Sequence, residues 1–150
     1  LDARWRELQS TAHPDKFAAE GGAAKRLAMQ WSVRINGAYK CLREPLARAA
    51  YLCELRGAAI DAERNTAMPA AFLMQQMHWR EALDEASDER AMQALDADVA
   101  RAGQTLLADI EQLLDHDHQA QQAAERVRSL MFLSKFRRDV ADRLDTLAEL

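Results

Sequence analysis

Proline and glycine are scarce in this chain, three and five in 150 residues. Folds built from tight turns and hairpins use both far more freely, and no stretch here alternates apolar and polar residues at period two, so a β-rich fold is excluded. No apolar run approaches the roughly 20 residues that a membrane helix requires, and no part of the sequence reads as a basic transit segment or a secretory leader. Two cysteines, Cys41 and Cys53, fall on what read as different helices and lack histidines at metal-ligand spacing. Neither a disulfide framework nor a zinc site is expected, and both thiols read as free and buried in a reducing compartment. Cations are also too dispersed for phosphate binding: the largest basic groupings are pairs such as Arg137-Arg138, so no nucleic-acid partner is expected.

What is present is helix-forming. Ala, Leu, Gln, Arg and Glu dominate a composition that is 49% hydrophobic and 29% charged, which predicts a folded, soluble, all-α protein. The net charge of −4 hides an asymmetry. Residues 1–57 hold 10 Lys/Arg against 6 Asp/Glu and residues 58–150 hold 10 against 18, so the first part favours an acidic partner surface and the second a basic one.

Leu1, Trp5, Leu8 and Ala12 recur at helical spacing along one face. Pro14 disfavours helical backbone at His13 and lacks an N–H, so that helix should stop near Ala12. After a loop containing Gly21-Gly22, periodicity resumes with Ala24, Leu27, Ala28, Trp31, Ile35, Ala38, Tyr39 and Leu42. Two antiparallel helices would hold His13-Pro14-Asp15 at their exposed tip. The plainer reading is a turn in which His13 or Asp15 merely caps a helix. An enzymatic acid–base pair is poorer still, because an exposed tip offers neither a pocket nor a nucleophile partner.

Pro45 is placed to start a third helix, which Leu46, Ala49, Ala50, Leu52, Cys53 and Leu55 fill until Gly57 ends it. Residues 58–69 have little periodicity and read as a linker. The expected division is therefore 1–57, 58–69 and 70–150. Beyond the linker three helices are predicted. The first covers residues 70–86, and Ser87 is expected to cap the second. The second carries a seam of Met92, Leu95, Val99, Ala102, Leu106, Ile110 and Leu113. Asp115-His116-Asp117-His118 reads as a polar connection rather than a metal site. The third helix carries Leu130, Leu133, Phe136, Val140, Leu144 and Leu147. The sum is a three-helix bundle.

At about 100° per residue, Phe72, Trp79, Leu83 and Ala86 share one face of the first bundle helix, while Leu73, Met74 and Met77 lie nearly opposite with His78, Glu81 and Glu85. One face is enough to bury the helix. The second face is either further core or a partner site, since clustered apolar residues ringed by charge mark interfaces and Met adapts to a partner's shape.

The helix-loop-helix around His13-Pro14-Asp15 resembles the J-domain of DnaJ-type co-chaperones, and the run Pro45-Leu46-Ala47-Arg48-Ala49-Ala50-Tyr51-Leu52 resembles the end of that domain in the HscB family. Leu73, Met74, Met77, Glu81 and Glu85, with Phe132 in Val127-Arg128-Ser129-Leu130-Met131-Phe132-Leu133, match that family's scaffold-binding face; His78 stands where its pattern often has a glutamate. The resemblance implies a non-enzymatic co-chaperone of iron-sulfur cluster assembly, without a cofactor or a metal of its own. His13, Pro14, Asp15 and Lys16, with Arg4 and Arg6, would meet an HscA-like heat-shock-70 class chaperone and stimulate its ATPase. Leu73, Met74, Met77, His78, Glu81, Glu85 and Phe132 would bind an IscU-type scaffold. A J-domain of this kind normally has another short helix before the first one here, so residues 1–57 are expected to be an N-terminally incomplete J-domain, lacking roughly 15 to 20 residues, about one helix plus a loop. The expected setting is a monomer in the bacterial cytoplasm, away from membranes, rather than the mitochondrial matrix. Two alternatives remain open: a J-protein serving another client, and a helical adaptor with no chaperone partner.

Overall fold

The computed structural model describes residues 1–148, with side chains through Thr146, and all its regular structure is helical. The chain packs as two compact units, residues 1–48 and 49–150. The division falls inside a helix, earlier than the boundary expected after Gly57. The reason is burial: Ala49, Cys53, Ala58 and Ile60 are all buried and belong to the second unit.

In the first unit, α1 (Asp2–Ala12) and α2 (Gly22–Arg43) form a hairpin. α1 ends where Pro14 requires, with His13 extended at φ −63° and ψ 128°. Gly21 enters α2 at φ 92°, a region that glycine alone visits freely. Polar and aromatic contacts cross-link the hairpin. Trp5 stacks on Tyr39 with ring centroids 4.7 Å apart. The Trp5 indole N–H donates to Asn36 Oδ1 at 3.0 Å, and Gln9 donates to the same oxygen. Tyr39 donates its hydroxyl proton to Asp2 at 2.9 Å. Ala24, Ala28, Ile35, Tyr39 and Leu42 face inward as their spacing predicts. Leu27, Trp31 and Ala38, expected on that stripe, are exposed, the first two at 55% and 52%.

α3 (Pro45–Leu55) ends in paired reverse hydrogen bonds, Ala58 N–H to Cys53 O at 2.9 Å and Gly57 N–H to Glu54 O at 3.0 Å, with Gly57 at φ 79°. That closure requires the left-handed conformation glycine provides. Cys53 is fully buried and Cys41 only partly. Burial pushes the Cys53 thiol up from its ordinary range, while Arg56 and Arg128 pull it down.

In the second unit, α4 (Ala70–Glu85), α5 (Glu89–Glu111) and α6 (Ala120–Ala148) form the bundle. The cap of α5 is Asp88 rather than Ser87: its carboxylate accepts from Ala91 N–H at 2.7 Å, and a carboxylate also complements the positive end of the helix. Met92, Leu95, Val99, Leu106 and Ile110 are buried along α5, against Val127, Leu130, Leu133, Phe136 and Val140 of α6. The Leu147 side chain lies outside the described residues. A π-helical turn at Gln112–His116 closes α5, and Arg56 donates to the Leu114 carbonyl there. His118 at φ 55° then turns the chain into α6.

Candidate functional site

His13, Pro14, Asp15 and Lys16 lie together in the turn between α1 and α2, where Pro14–Phe17 form one 3-10 turn. His13 and Asp15 are exposed and Pro14 is partly covered. His13 Nδ1 accepts from the Asp15 backbone N–H at 3.3 Å and lies 3.5 Å from the Asp15 carboxylate. The tip thus presents an imidazole and a carboxylate to solvent. The capping role considered from sequence is thus real, and it also orients the imidazole. Arg4 and Arg6 are exposed on α1, and Arg4 is paired with Glu7 at 2.6 Å.

α4 has one dry side. Trp79 is 2% exposed and donates its indole N–H to Asp98 of α5 at 2.8 Å. Its ring meets Phe72 edge-on, with centroids 5.9 Å apart, and stacks on Phe136 at 6.5 Å. The other side is open: Leu73, Met74 and Met77 are 43%, 73% and 64% exposed, and His78, Glu81 and Glu85 are exposed beside them. One short helix thus separates a buried aromatic face from an apolar face left to water.

Phe132 stands between these roles. It is half-buried, edge-on to Phe72 at 6.0 Å and stacked on Phe136 at 5.9 Å. Arg80, which sequence reasoning passed over, lays its guanidinium 5.6 Å from the Phe132 ring centroid. Beside the pair runs an α4/α6 groove of about 370 Å³ lined by Leu83, Asp84, Lys135, Phe136 and Asp139. The one available signal was the i,i+4 spacing of Arg80 with Asp84 and of Lys135 with Asp139, which aligns charges along each helix. The geometry offers binding faces: an exposed polar tip in one unit, and in the other an apolar patch edged by carboxylates.

The structure thus presents an exposed His-Pro-Asp turn on a helical hairpin in one unit and a helical bundle in the other. The family model described as the HSCB C-terminal oligomerisation domain matches residues 68–141. The co-chaperone protein HscB homolog of Cupriavidus taiwanensis is 49% identical over 153 residues, spanning 99% of this chain and 86% of that protein. The homolog of Burkholderia multivorans is 49% identical over 149 residues, spanning 98% and 85%. Among solved structures, chaperone HscB from Vibrio cholerae superposes with a TM-score of 0.79 at 33% identity, covering 97% of this chain and 87% of that one. The human co-chaperone protein HscB gives 0.83 at 26% identity, covering 95% and 72%. The chain belongs to the HscB family of co-chaperones.

Proposed function

We propose that this co-chaperone serves iron-sulfur cluster assembly through one partner per unit. The His13-Pro14-Asp15 tip, with Lys16 and the flanking Arg4 and Arg6, recruits an HscA-like ATPase chaperone and triggers ATP hydrolysis on that partner. The open face of α4, comprising Leu73, Met74, Met77, His78, Glu81 and Glu85, joins Phe132 of α6 to bind an IscU-type scaffold. The observation carrying this reading is that Leu73, Met74 and Met77 remain exposed while Trp79 on the same helix is buried. Exposed apolar clusters of this kind are costly to keep in water without a partner. The carboxylates beside them suit a basic counterpart.

The reading assigns the protein no reaction of its own, and places it in the bacterial cytoplasm as a monomer. Because the family description names an oligomerisation domain, sedimentation with and without scaffold is the check on that last point. A dimer formed through the α4 face would compete with scaffold.

The direct experiment is the ATPase rate of the chaperone alone, with this protein, and with scaffold added. His13→Gln or Asp15→Asn should abolish stimulation with unchanged circular dichroism, because the tip is solvated. Variants that stimulate like wild type would leave a helical adaptor as the better reading. Stimulation that ignores the scaffold would point instead to a J-protein with another client.

A further inference from the structure

Arg128 on α6 is the one buried cation among the described residues, at 5% exposure, and no described carboxylate lies within 4 Å of it. Its Nε donates to the Ala67 carbonyl at 2.8 Å, and its Nη1 donates to the carbonyls of Ile60 at 3.3 Å and Ala59 at 3.5 Å. All three acceptors belong to the segment between α3 and α4, which the sequence presents as a linker and which the structure fastens to α6.

A buried charge with no counter-charge is a costly way to fill space, and an apolar side chain of similar volume would serve packing alone at least as well. A planar fork of donors does what an apolar side chain cannot: it fixes several carbonyls of an otherwise irregular segment against one helix. Ala67 stands three residues ahead of Ala70, where α4 begins. One turn along α6 from Arg128, on the same face, Phe132 meets Phe72 in the first turn of α4. The start of α4 is therefore seated on α6 at two successive turns, first through the guanidinium and then through the aromatic pair.

We infer that Arg128 is a positioning residue for the partner face: by holding Ala67 it sets where α4 starts, and so the spacing between Leu73 and Met77 on α4 and Phe132 on α6. This rests on the proposed reading of that face as the scaffold site. Arg128 is itself too buried to meet a partner and acts only through the segment it holds.

Arg128→Met removes the fork and keeps an apolar stem, whereas Arg128→Lys keeps the charge but offers a single point donor. Both should retain the helical circular dichroism and a cooperative melt, and both should stimulate the chaperone ATPase like wild type in the absence of scaffold. Amide exchange over residues 59–74 should rise about tenfold or more. Scaffold affinity, measured by calorimetry far below the melting temperature, should fall about tenfold in Arg128→Met. Arg128→Lys should recover only part of it, because one ammonium cannot span the three carbonyls. A role confined to stability would leave affinity unchanged at that temperature, where every molecule is folded. Wild-type affinity in either folded variant overturns the inference, as does unchanged exchange over the first turn of α4; if Arg128→Met does not fold, Arg128→Lys decides alone. Leu73→Ala run in parallel separates the two readings. If it weakens binding while the Arg128 variants do not, the positioning role alone fails; if it binds like wild type, the face itself is misassigned.

Discussion

In the hairpin of residues 1–48, Ala28 is the one buried side chain among those described, and α1 meets α2 through Trp5, Gln9, Ser32, Asn36 and Tyr39 in a net of hydrogen bonds and one aromatic stack. In the bundle, Trp79, Met92, Val99, Val127, Leu133 and Val140 are fully buried, and among the described residues the buried side-chain polar groups are few and satisfied. The two units are both helical and are held by different forces. A core of the second kind draws its stability from removing apolar surface from water, roughly 25 cal/mol per Å². A seam of the first kind exchanges bonds to water for bonds within the protein and nets about 1 kcal/mol for each. Leu73, Met74 and Met77 stay exposed, off the bundle's buried contacts, so at those positions binding and folding can be perturbed separately.

The sharpest way to break this contrast is a pair of tryptophan deletions. Trp79→Ala removes a buried ring and leaves Asp98 without its indole partner, so urea titration should find the bundle destabilised by about 3–5 kcal/mol. Trp5→Ala, at a partly exposed site, should cost less than half of that in the hairpin's own exchange. Equal costs would mean that the hairpin is also held by burial.

Next in size is the hub of the hairpin. Asn36 Oδ1 receives both the Trp5 indole and the Gln9 amide, so Asn36→Ala should cost about 1–2 kcal/mol. Amide exchange should rise across α1 and α2 while the bundle keeps its wild-type protection.

A third comparison lies within the proposed scaffold face. Leu73→Ala and Met77→Ala remove exposed side chains and should leave the unfolding midpoint close to wild type, while each weakens scaffold binding by more than about 1 kcal/mol. Phe132→Ala should weaken binding and also destabilise the bundle, because its ring touches Phe72 and Phe136. Unfolding losses of similar size for all three would mark the patch as core.

Much of this was legible in the sequence, for a definable reason. Where a helix buries one stripe against a dry core, the period of 3.6 residues reports it directly: Phe72, Trp79, Leu83 and Ala86 fall inward, and Leu73, Met74 and Met77 lie on the opposite face, which periodicity left open as core or partner site and which is exposed. The His13-Pro14-Asp15 tip was legible because proline has a strong local effect on backbone. Periodicity misled in α2, where Leu27 and Trp31 sit on the apolar stripe yet remain exposed, because that hairpin is joined by side chains whose partners lie 23 to 37 positions away. For the same reason Asn36 and Arg128 gave no signal: a hydrogen bond from Arg128 to a carbonyl 61 residues earlier leaves no trace in local pattern. The stretch 58–69 read as a linker because irregular backbone and loose backbone have the same composition.

The smallest expected effect tests the electrostatic side of the bundle. Arg137 of α6 and Asp96 of α5 make a two-pronged ion pair, Nε to Oδ1 at 2.7 Å and Nη2 to Oδ2 at 2.8 Å. The hydrogen bond from Arg137 holds the Asp96 carboxyl below the usual carboxylate range, against the opposing effect of partial burial. Both side chains remain partly open to water, which screens them, so Asp96→Asn should cost well under about 1 kcal/mol at neutral pH. The sign of its pH dependence is fixed. A carboxyl that binds protons less readily folded than unfolded stabilises the fold above its unfolded value, about 3.9, and that stabilisation disappears as pH falls through the lower folded value. Denaturant titrations of wild type and Asp96→Asn should therefore differ by a constant small amount from pH 7 to about 5 and converge as the pH drops below about 4. A gap that persists into acid would assign the effect of Asp96 to packing between α5 and α6 rather than to its charge.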